Sequence, residues 1–198
     1  MKTSVAILAG GRSRRMGRDK ALLPLGGATV IERVATAASP LSDEQFIVAD
    51  ESAPYAFLGL PVVQDLRKSS GPLGGLQTAL HHTKQPNVCL LACDLPFLTT
   101  EFLRYLGTRL GGHQAVIPRS HSRPQPLCAF YSASCLTPVE SALAKNDLRM
   151  DAFHDSVAVK YVEQRDWEAY DPHGTLFANM NYPEEYQRAR ELLTKLGL

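Results

Sequence analysis

Short apolar runs alternate with amphipathic stretches along most of the chain. Residues 3–9 and 87–93 are continuous apolar runs with the length of buried strands. The stretches between the runs have the spacing of helices, and this alternation predicts strands joined by helical crossovers in a mostly parallel sheet. The predicted strands cover residues 3–9, 46–49, 61–63, 87–93, 115–117, 127–131 and 158–162, and predicted helices cover residues 73–83 and 99–110.

Helix boundaries carry their own signals. Thr29 followed three residues later by Glu32 predicts a capping box, which opens a helix that ends near residues 39–40. Pro183 followed by two glutamates predicts the start of a C-terminal helix. Residues 118–127, with the sequence PRSHSRPQPL, are rich in proline and are predicted to form a loop.

The length of 198 residues and the 44% hydrophobic content favour one globular domain. Within residues 1–198 we expect a nucleotide-binding half over residues 1–110 and a second-substrate half over residues 111–198. The first apolar run is too short for a signal peptide, and no run approaches the roughly 20 residues that span a bilayer. We therefore expect a soluble, cytoplasmic protein that does not bind membranes.

The four cysteines show neither paired CxxC spacing nor a nearby CxxH motif. Two of them fall in an apolar run, where the side chain of a free cysteine behaves as a small hydrophobe. We therefore predict buried, reduced thiols, and a metal site is the alternative. The prediction covers Cys89, Cys93, Cys128 and Cys135.

The segment LAGGRSRRMGRDK, residues 8–20, concentrates positive charge, because five of its last nine residues are basic although the net charge of the chain is +1. A buried strand that delivers Gly10 and Gly11 into a basic loop brings backbone N–H groups and cations together, which suits a polyphosphate. Neither the Walker A spacing nor GxGxxG is present. A solvated charged loop is the alternative, and so local a charge disfavours a nucleic-acid binder.

The same segment resembles the signature of the molybdenum cofactor guanylyltransferase family in Leu8-Ala9-Gly10-Gly11, Arg15-Met16-Gly17 and Asp19-Lys20-Ala21-Leu22. The resemblance implies an α/β, three-layer, Rossmann-like nucleotidyltransferase fold with a nucleoside triphosphate on the first loop. It also implies an Mg²⁺-dependent transfer of GMP from GTP to molybdopterin or its molybdenum-loaded form.

Three later segments extend the resemblance over nearly the whole chain. Asp65 and the turn GPLGGL resemble the family's nucleoside pocket, although an ordinary turn into a helix has the same pattern. Asp94 resembles the family's metal-binding aspartate and follows a central strand, where open α/β sheets place ligands. A capping role is the alternative for Asp94, and helix capping is the alternative for Asn181 in the segment NMNYPEE.

These matches imply the following site residues. The catalytic residues are Arg15, Lys20 and Asp94, of which Asp94 binds the metal. The substrate-binding residues are Leu8, Ala9, Gly10, Gly11, Lys20, Asp65, Gly71, Pro72, Leu73, Asp94, Asn179 and Asn181.

The acceptor and the base are less clearly indicated. The segment RPQPLCAFY resembles the part of the family near the pterin, with Arg119, His121 and Arg123 as candidate phosphate contacts. Asp50 and Glu51 stand where several relatives have an asparagine-containing stretch near the base. An Asp50 carboxylate could still accept hydrogen bonds from guanine N1 and N2.

Two alternatives remain at this point. One is a cytidylyltransferase of the same fold that acts on molybdopterin or another phosphorylated acceptor. The other is an adaptor that binds GTP without turnover and delivers cofactor to a partner enzyme. Molybdoenzyme chaperones and other cofactor-synthesis proteins are the expected protein partners.

Overall fold

A computed structural model describes residues 2–9, 19–42, 44–180 and 182–196. The strands are β1 (Ser4–Leu8), β2 (Pro24–Leu25), β3 (Ala28–Thr29), β4 (Gln45–Val48), β5 (Val62–Val63), β6 (Asn87–Ala92), β7 (Ala115–Ser120), β8 (Arg123–Pro124), β9 (Cys128–Ser132) and β10 (Val159–Val162). The α-helices are α1 (Val30–Ala38), α2 (Gly71–His82), α3 (Thr100–Thr108), α4 (Leu136–Ala144), α5 (Gln164–Trp167) and α6 (Pro183–Leu196).

Three predicted helix starts are confirmed, and the helix predicted from residue 73 begins two residues earlier, at Gly71. The Thr29 N–H donates to Glu32 Oε2 at 2.6 Å while the Glu32 N–H donates to Thr29 Oγ1 at 3.4 Å, which is the reciprocal pair of a capping box at the start of α1. Thr99 caps α3 by accepting the N–H of Phe102, and α6 begins at Pro183. In α1 and α3 a threonine side chain accepts a backbone N–H that would otherwise lack a partner. In α6 the first residue is a proline, which has no N–H to satisfy.

The main sheet has eight strands, seven of them in the order β10-β7-β9-β6-β1-β4-β5, with β8 paired to β7. β1 lies in the centre and is parallel to β6 on one side and to β4 on the other. β9 is antiparallel to both β6 and β7, so it interrupts an otherwise parallel core. The sheet is therefore mostly parallel where β1 lies.

Helices cover both faces of this sheet and give the predicted three-layer α/β/α architecture. Alternate residues of β1 separate the two cores: Val5 and Ile7 pack with the buried side chains of α1 and α3, and Ala6 packs with those of α2 and α4. This period-2 alternation is that of a strand buried on both faces. A smaller cluster joins α6 to the segment around β2, where the Tyr186 hydroxyl donates to the Pro24 carbonyl at 2.5 Å.

Two parts of the second half differ from the prediction. Residues 118–127 were expected to be a loop, but β7 continues to Ser120 and pairs with β8. His121 and Ser122 form the turn, with φ of 49° and 64°. Turns with positive φ usually contain glycine or asparagine, so a turn of histidine and serine is not recognisable from the sequence. The loop prediction was therefore wrong for this hairpin, and α4 was not predicted at all.

All four cysteines are buried, as predicted. Burial raises the pKa of Cys89 and Cys128 and raises that of Cys135 to about 11. These three thiols therefore stay protonated near neutral pH. In the part of the chain that the structure describes, no helix is both long enough and apolar enough to cross a bilayer.

Candidate active site

The carboxyl ends of β1 and β6 meet at one edge of the sheet. Leu8 pairs with Ala92, the Cys93 N–H donates to the Leu8 carbonyl at 3.1 Å, and the Ala9 N–H donates to Val48 at 2.9 Å. The order in which strands are added to the sheet reverses here. Through α1 the chain passes from β1 to β4 on one side, and through α2 it returns from β5 to β6 on the other side of β1. Such a switch point forms a crevice, and a cavity of about 760 Å³ opens there.

Lys20 and Asp94 form an ion pair in this cavity through Lys20 Nζ and Asp94 Oδ2. Asp94 follows the end of β6, and only 9% of its side chain is exposed, while 21% of the Lys20 side chain is exposed. A buried carboxylate requires a compensating positive charge or metal ion. The pair therefore marks the charged centre of the cavity.

The beginning of α2 forms one wall. Gly71, Pro72 and Gly75 line the cavity, and Gly71 has a φ of 60°, which glycine adopts without strain. A Cβ on Gly75 would lie 2.9 Å from Leu8 Cδ2, so a larger residue here would have to displace the end of the Leu8 side chain. The N-terminus of a twelve-residue helix lies here, and its backbone dipole favours an anion.

Asp65 lies beside this wall, just after β5. The buried Thr78 hydroxyl accepts the Leu66 N–H at 3.0 Å and lies 3.3 Å from Asp65 Oδ1, which fixes the end of the strand against α2. Burial, and to a smaller extent the nearby Asp50 carboxylate, raises the pKa of Asp65, and the hydrogen bond from Thr78 opposes this shift. Asp50 and Asp65 both line the cavity at the β4–β5 side.

The other side of the cavity comes from the second half of the chain. Gln125, Pro126 and Leu127 lead into β9, which lies next to β6. Met150, which packs against the core cluster that contains Ala129 of β9, also lines the cavity, as does Asn179. Because β9 and β5 lie on opposite sides of the β6–β1 pair, the cavity has two distinct ends.

The structure thus brings together most of the predicted site residues that it describes. Lining the cavity are Leu8, Ala9, Lys20, Asp65, Gly71, Pro72, Asp94 and Asn179. Leu73 is instead fully buried in the core. Gly10, Gly11, Arg15 and Asn181 lie outside the described residues.

The three residues suggested as contacts for the acceptor phosphate do not line the cavity. Arg119 forms an ion pair with Glu163 at 3.0 Å and stacks on the Tyr161 ring, 4.2 Å from its centroid. His121 Nδ1 lies 3.2 Å from the hydroxyl of the preceding serine, and Arg123 is exposed on β8. Their role toward the acceptor remains a prediction.

Several lining residues were missed by sequence reasoning, including Ser69 and Met150. Gly75 was covered by the GPLGGL segment but not named as a site residue. No local pattern distinguishes Met150, since its position in the cavity depends on how α4 packs.

The arrangement suits chemistry on a polyphosphate. A helix N-terminus and an ammonium group can hold negative charge, and one buried carboxylate can hold a divalent cation together with phosphate oxygens. Among the described residues, no three His, Cys, Asp or Glu side chains converge on one point. A metal bound at Asp94 would therefore be held mainly by its substrate, as Mg²⁺ commonly is.

Comparison with known proteins identifies the family. Residues 5–159 match the family model of the MobA-like NTP transferase domain. A probable molybdenum cofactor guanylyltransferase from Pelotomaculum thermopropionicum is 35% identical over 96% of this chain and 93% of that protein. Another, from Carboxydothermus hydrogenoformans, is 34% identical over 96% of each chain.

Solved structures give the same result for the fold. Molybdopterin-guanine dinucleotide biosynthesis protein A from Archaeoglobus fulgidus superposes with a TM-score of 0.84, at 29% identity, over 97% of this chain and 99% of that chain. The 2-C-methyl-D-erythritol 4-phosphate cytidylyltransferase from Thermus thermophilus has a TM-score of 0.72 at 17% identity, over 98% of this chain and all of that chain, and so shares the fold. The chain belongs to the family of MobA-like NTP transferases.

Proposed function

We propose that this protein transfers GMP from GTP to the terminal phosphate of molybdopterin or its molybdenum-loaded form, and releases pyrophosphate. The observation that carries the proposal is the Lys20–Asp94 pair, placed at the carboxyl ends of two adjacent parallel strands in a cavity large enough for two substrates. The names of the relatives, molybdenum cofactor guanylyltransferases, supply the base and the acceptor.

The reaction is a displacement at the α-phosphorus. An oxygen of the acceptor phosphate forms a bond to the α-phosphorus, the bond between that phosphorus and the α–β bridging oxygen breaks, and pyrophosphate leaves with the electron pair. Because a phosphate monoester is already anionic near neutral pH, its second pKa being about 6, no strong general base is required. The protein must position two anions and stabilise the charge of the leaving group.

Lys20 is proposed to stabilise the negative charge of the leaving pyrophosphate. Its ammonium contacts Asp94 in the same cavity that the N-terminal end of α2 lines, where the phosphates of a bound nucleotide would be held. When GTP binds, Lys20 would exchange part of its contact with Asp94 for a contact with phosphate oxygens. Arg15, Gly10 and Gly11 are proposed to assist from the basic segment.

Mg²⁺ is proposed as the cofactor, with Asp94 as its protein ligand. The chemistry of the site fits, because Mg²⁺ usually takes one or two carboxylates and fills the remaining positions with phosphate oxygens and water. Bound there, the ion would neutralise charge on the phosphates. Removal of divalent cations with EDTA is expected to abolish turnover, and added MgCl₂ is expected to restore it.

Asp50 and Asp65 are proposed to read the base. Both lie at the β4–β5 end of the cavity, and guanine presents N–H donors at N1 and N2 that a carboxylate can accept. Gln64 Nε2 donates to the Asp50 carbonyl at 3.3 Å and so helps to fix this residue. The acceptor would then occupy the opposite end, beside Gln125, which leads into β9, and Met150.

Substitution of Asp94 tests whether this site turns over substrate or only binds GTP. Asp94→Asn keeps the shape of the side chain but removes its charge, and we expect a loss of transfer of at least 100-fold with the circular dichroism spectrum unchanged. The matched control is Asp155→Asn, on an exposed carboxylate outside the cavity. Unchanged turnover in Asp94→Asn would contradict the mechanism and favour a binding role without chemistry.

A further inference from the structure

Asp19, the residue before Lys20, uses both of its carboxylate oxygens. Oδ1 accepts the N–H of Ala21 at 3.0 Å and so caps the 3-10 turn Lys20–Leu22. Oδ2 accepts a hydrogen bond from the Tyr55 hydroxyl at 2.7 Å. One side chain therefore determines where the Lys20 turn begins and also connects that turn to a distant part of the chain.

Tyr55 is a fixed anchor for this contact. It lies on the 3-10 segment Ala53–Leu58 between β4 and β5, is 3% exposed, and belongs to the same core cluster as Ala9, Ala21 and Cys93. Burial, and next the hydrogen bond to Asp19, raise the pKa of Tyr55 well above its ordinary value. Its hydroxyl therefore remains a donor at any physiological pH.

The Asp19–Tyr55 hydrogen bond joins the segments that form the site. Cys93, which lies near Tyr55, directly precedes Asp94. The connection that carries Tyr55 begins after β4 with Asp50, which lines the β4–β5 end of the cavity. We infer that Asp19 and Tyr55 are positioning residues, which hold the Lys20 ammonium at its place beside Asp94 for nucleotidyl transfer. This inference rests on the proposed function.

The chemistry of residue 19 separates this role from simple capping. Asparagine and serine cap helix termini about as well as aspartate. Asparagine could still bond to Tyr55, because its amide N–H can donate to the tyrosine hydroxyl oxygen. Serine has a single hydroxyl on a shorter side chain, so it can cap Ala21 but cannot also reach Tyr55. Serine at position 19 therefore keeps the cap and removes the contact with Tyr55.

Two variants remove the contact with little other change. Tyr55→Phe keeps the buried ring and removes the hydroxyl, and Asp19→Ser keeps the cap but is too short to reach Tyr55. In each we expect kcat to fall about tenfold, because small displacements of a catalytic group can cost up to about 100-fold. The KM for GTP should stay within about twofold, and the double variant should be no worse than either single one, since both remove one interaction.

Tyr161→Phe is the matched control. It also removes a tyrosine hydroxyl hydrogen bond, to His154 Nδ1 at 3.0 Å, but outside the cavity. Its kcat should equal that of the wild type. Lower melting temperatures in Tyr55→Phe and Asp19→Ser with an unchanged kcat would mean that the contact only stabilises the fold, and would overturn the inference.

A second measurement does not depend on turnover. NMR relaxation of the Lys20 side chain should show greater motion in Tyr55→Phe than in the wild type and no change in Tyr161→Phe. If the wild-type protein makes no dinucleotide, the proposed function fails and this measurement alone decides the positioning role. Equal Lys20 motion in the wild type and Tyr55→Phe would overturn it.

Discussion

Asp94 and Lys20, at the charged centre of the cavity, are charged residues in a largely buried position. Asp94 is almost inaccessible, and a carboxylate in such a place is costly unless a cation accompanies it. Lys20 supplies that charge from the segment after β1. The same two residues are therefore important for stability without substrate and, on the proposed function, for chemistry with it.

Lys20→Met tests this double role. Loss of the ammonium is expected to reduce kcat by at least 100-fold, the scale seen when one stabilising donor is removed from an active site. It should also lower the free energy of unfolding by about 1–3 kcal/mol, because the buried Asp94 carboxylate loses its counter-charge. Urea denaturation and initial rates of pyrophosphate release measure the two effects.

The control for this variant is Lys84→Met, at an exposed lysine outside the cavity. It should change neither quantity. A Lys20→Met protein with normal kcat would contradict the assignment of Lys20 to the reaction.

Asp65 should make stability depend on pH. Its pKa is raised in the folded protein, so the folded state holds this proton to higher pH than the unfolded state does. The wild type therefore loses stability as pH rises from the unfolded pKa, about 3.9, through the raised folded pKa. Asp65→Asn lacks this loss and should be the more stable protein at pH 7, although it should bind GTP less tightly.

The measurement is urea denaturation of both proteins between pH 3 and pH 8. The difference in unfolding free energy should be largest at the neutral end and should shrink at the acid end. A wild type that is more stable than Asp65→Asn at pH 7 would show that burial does not penalise this carboxylate.

At the scale of elements, local chemistry made much of the fold predictable. The capping box of α1, the cap of α3 and Pro183 at the start of α6 are signals within a few residues, and the structure confirms all three. The β7–β8 hairpin depends on pairing across a His121–Ser122 turn that lacks glycine, and α4 carries Pro138 in its first turn. The hairpin turn lacks the residues typical of turns, and a proline within a stretch of sequence usually counts against a helix. The sequence pattern therefore predicted neither the hairpin nor α4.

The packing of α2 on β1 gives a prediction at this scale. In Gly75→Ala the new methyl would displace the flexible end of Leu8, which lines the cavity. Alanine favours a helix by about 0.5–1 kcal/mol over glycine, and this gain offsets part of an overpacking cost of about 1–3 kcal/mol. We expect a small loss of stability and a several-fold rise in the KM for GTP, about 1 kcal/mol of binding.

Gly111→Ala is the control, because a Cβ there meets no atom within 4 Å and its φ is unremarkable for an L-residue. Thermal melts and steady-state kinetics of both variants decide the matter. A normal KM for GTP in Gly75→Ala would show that the position of Leu8 is unimportant for nucleotide binding.

At the scale of the whole molecule, sheet order explains why distant residues meet. The repeated βα pattern predicted a parallel sheet but not its order, which depends on which strands pair. With β6 and β4 on either side of β1, residues from near positions 8, 20, 65, 94 and 179 share one cavity. Resemblance to a family identified these residues, while the spacing of the sequence alone could not show that they converge.

The two ends of the cavity should be separable by kinetics. Met150 lines the cavity and packs against the core cluster that contains Ala129 of β9, so Met150→Ala is expected to raise the KM for molybdopterin about fivefold, or ~1 kcal/mol of lost apolar contact. The KM for GTP should not change. A rise in the KM for GTP instead would place the nucleotide at this end.

The most direct test of the account is analysis of products by mass spectrometry. The protein is incubated with MgCl₂, molybdopterin and all four ribonucleoside triphosphates at equal concentration. We predict a guanine dinucleotide of the pterin and one equivalent of pyrophosphate. A cytosine dinucleotide as the main product, or no dinucleotide at all, would contradict it.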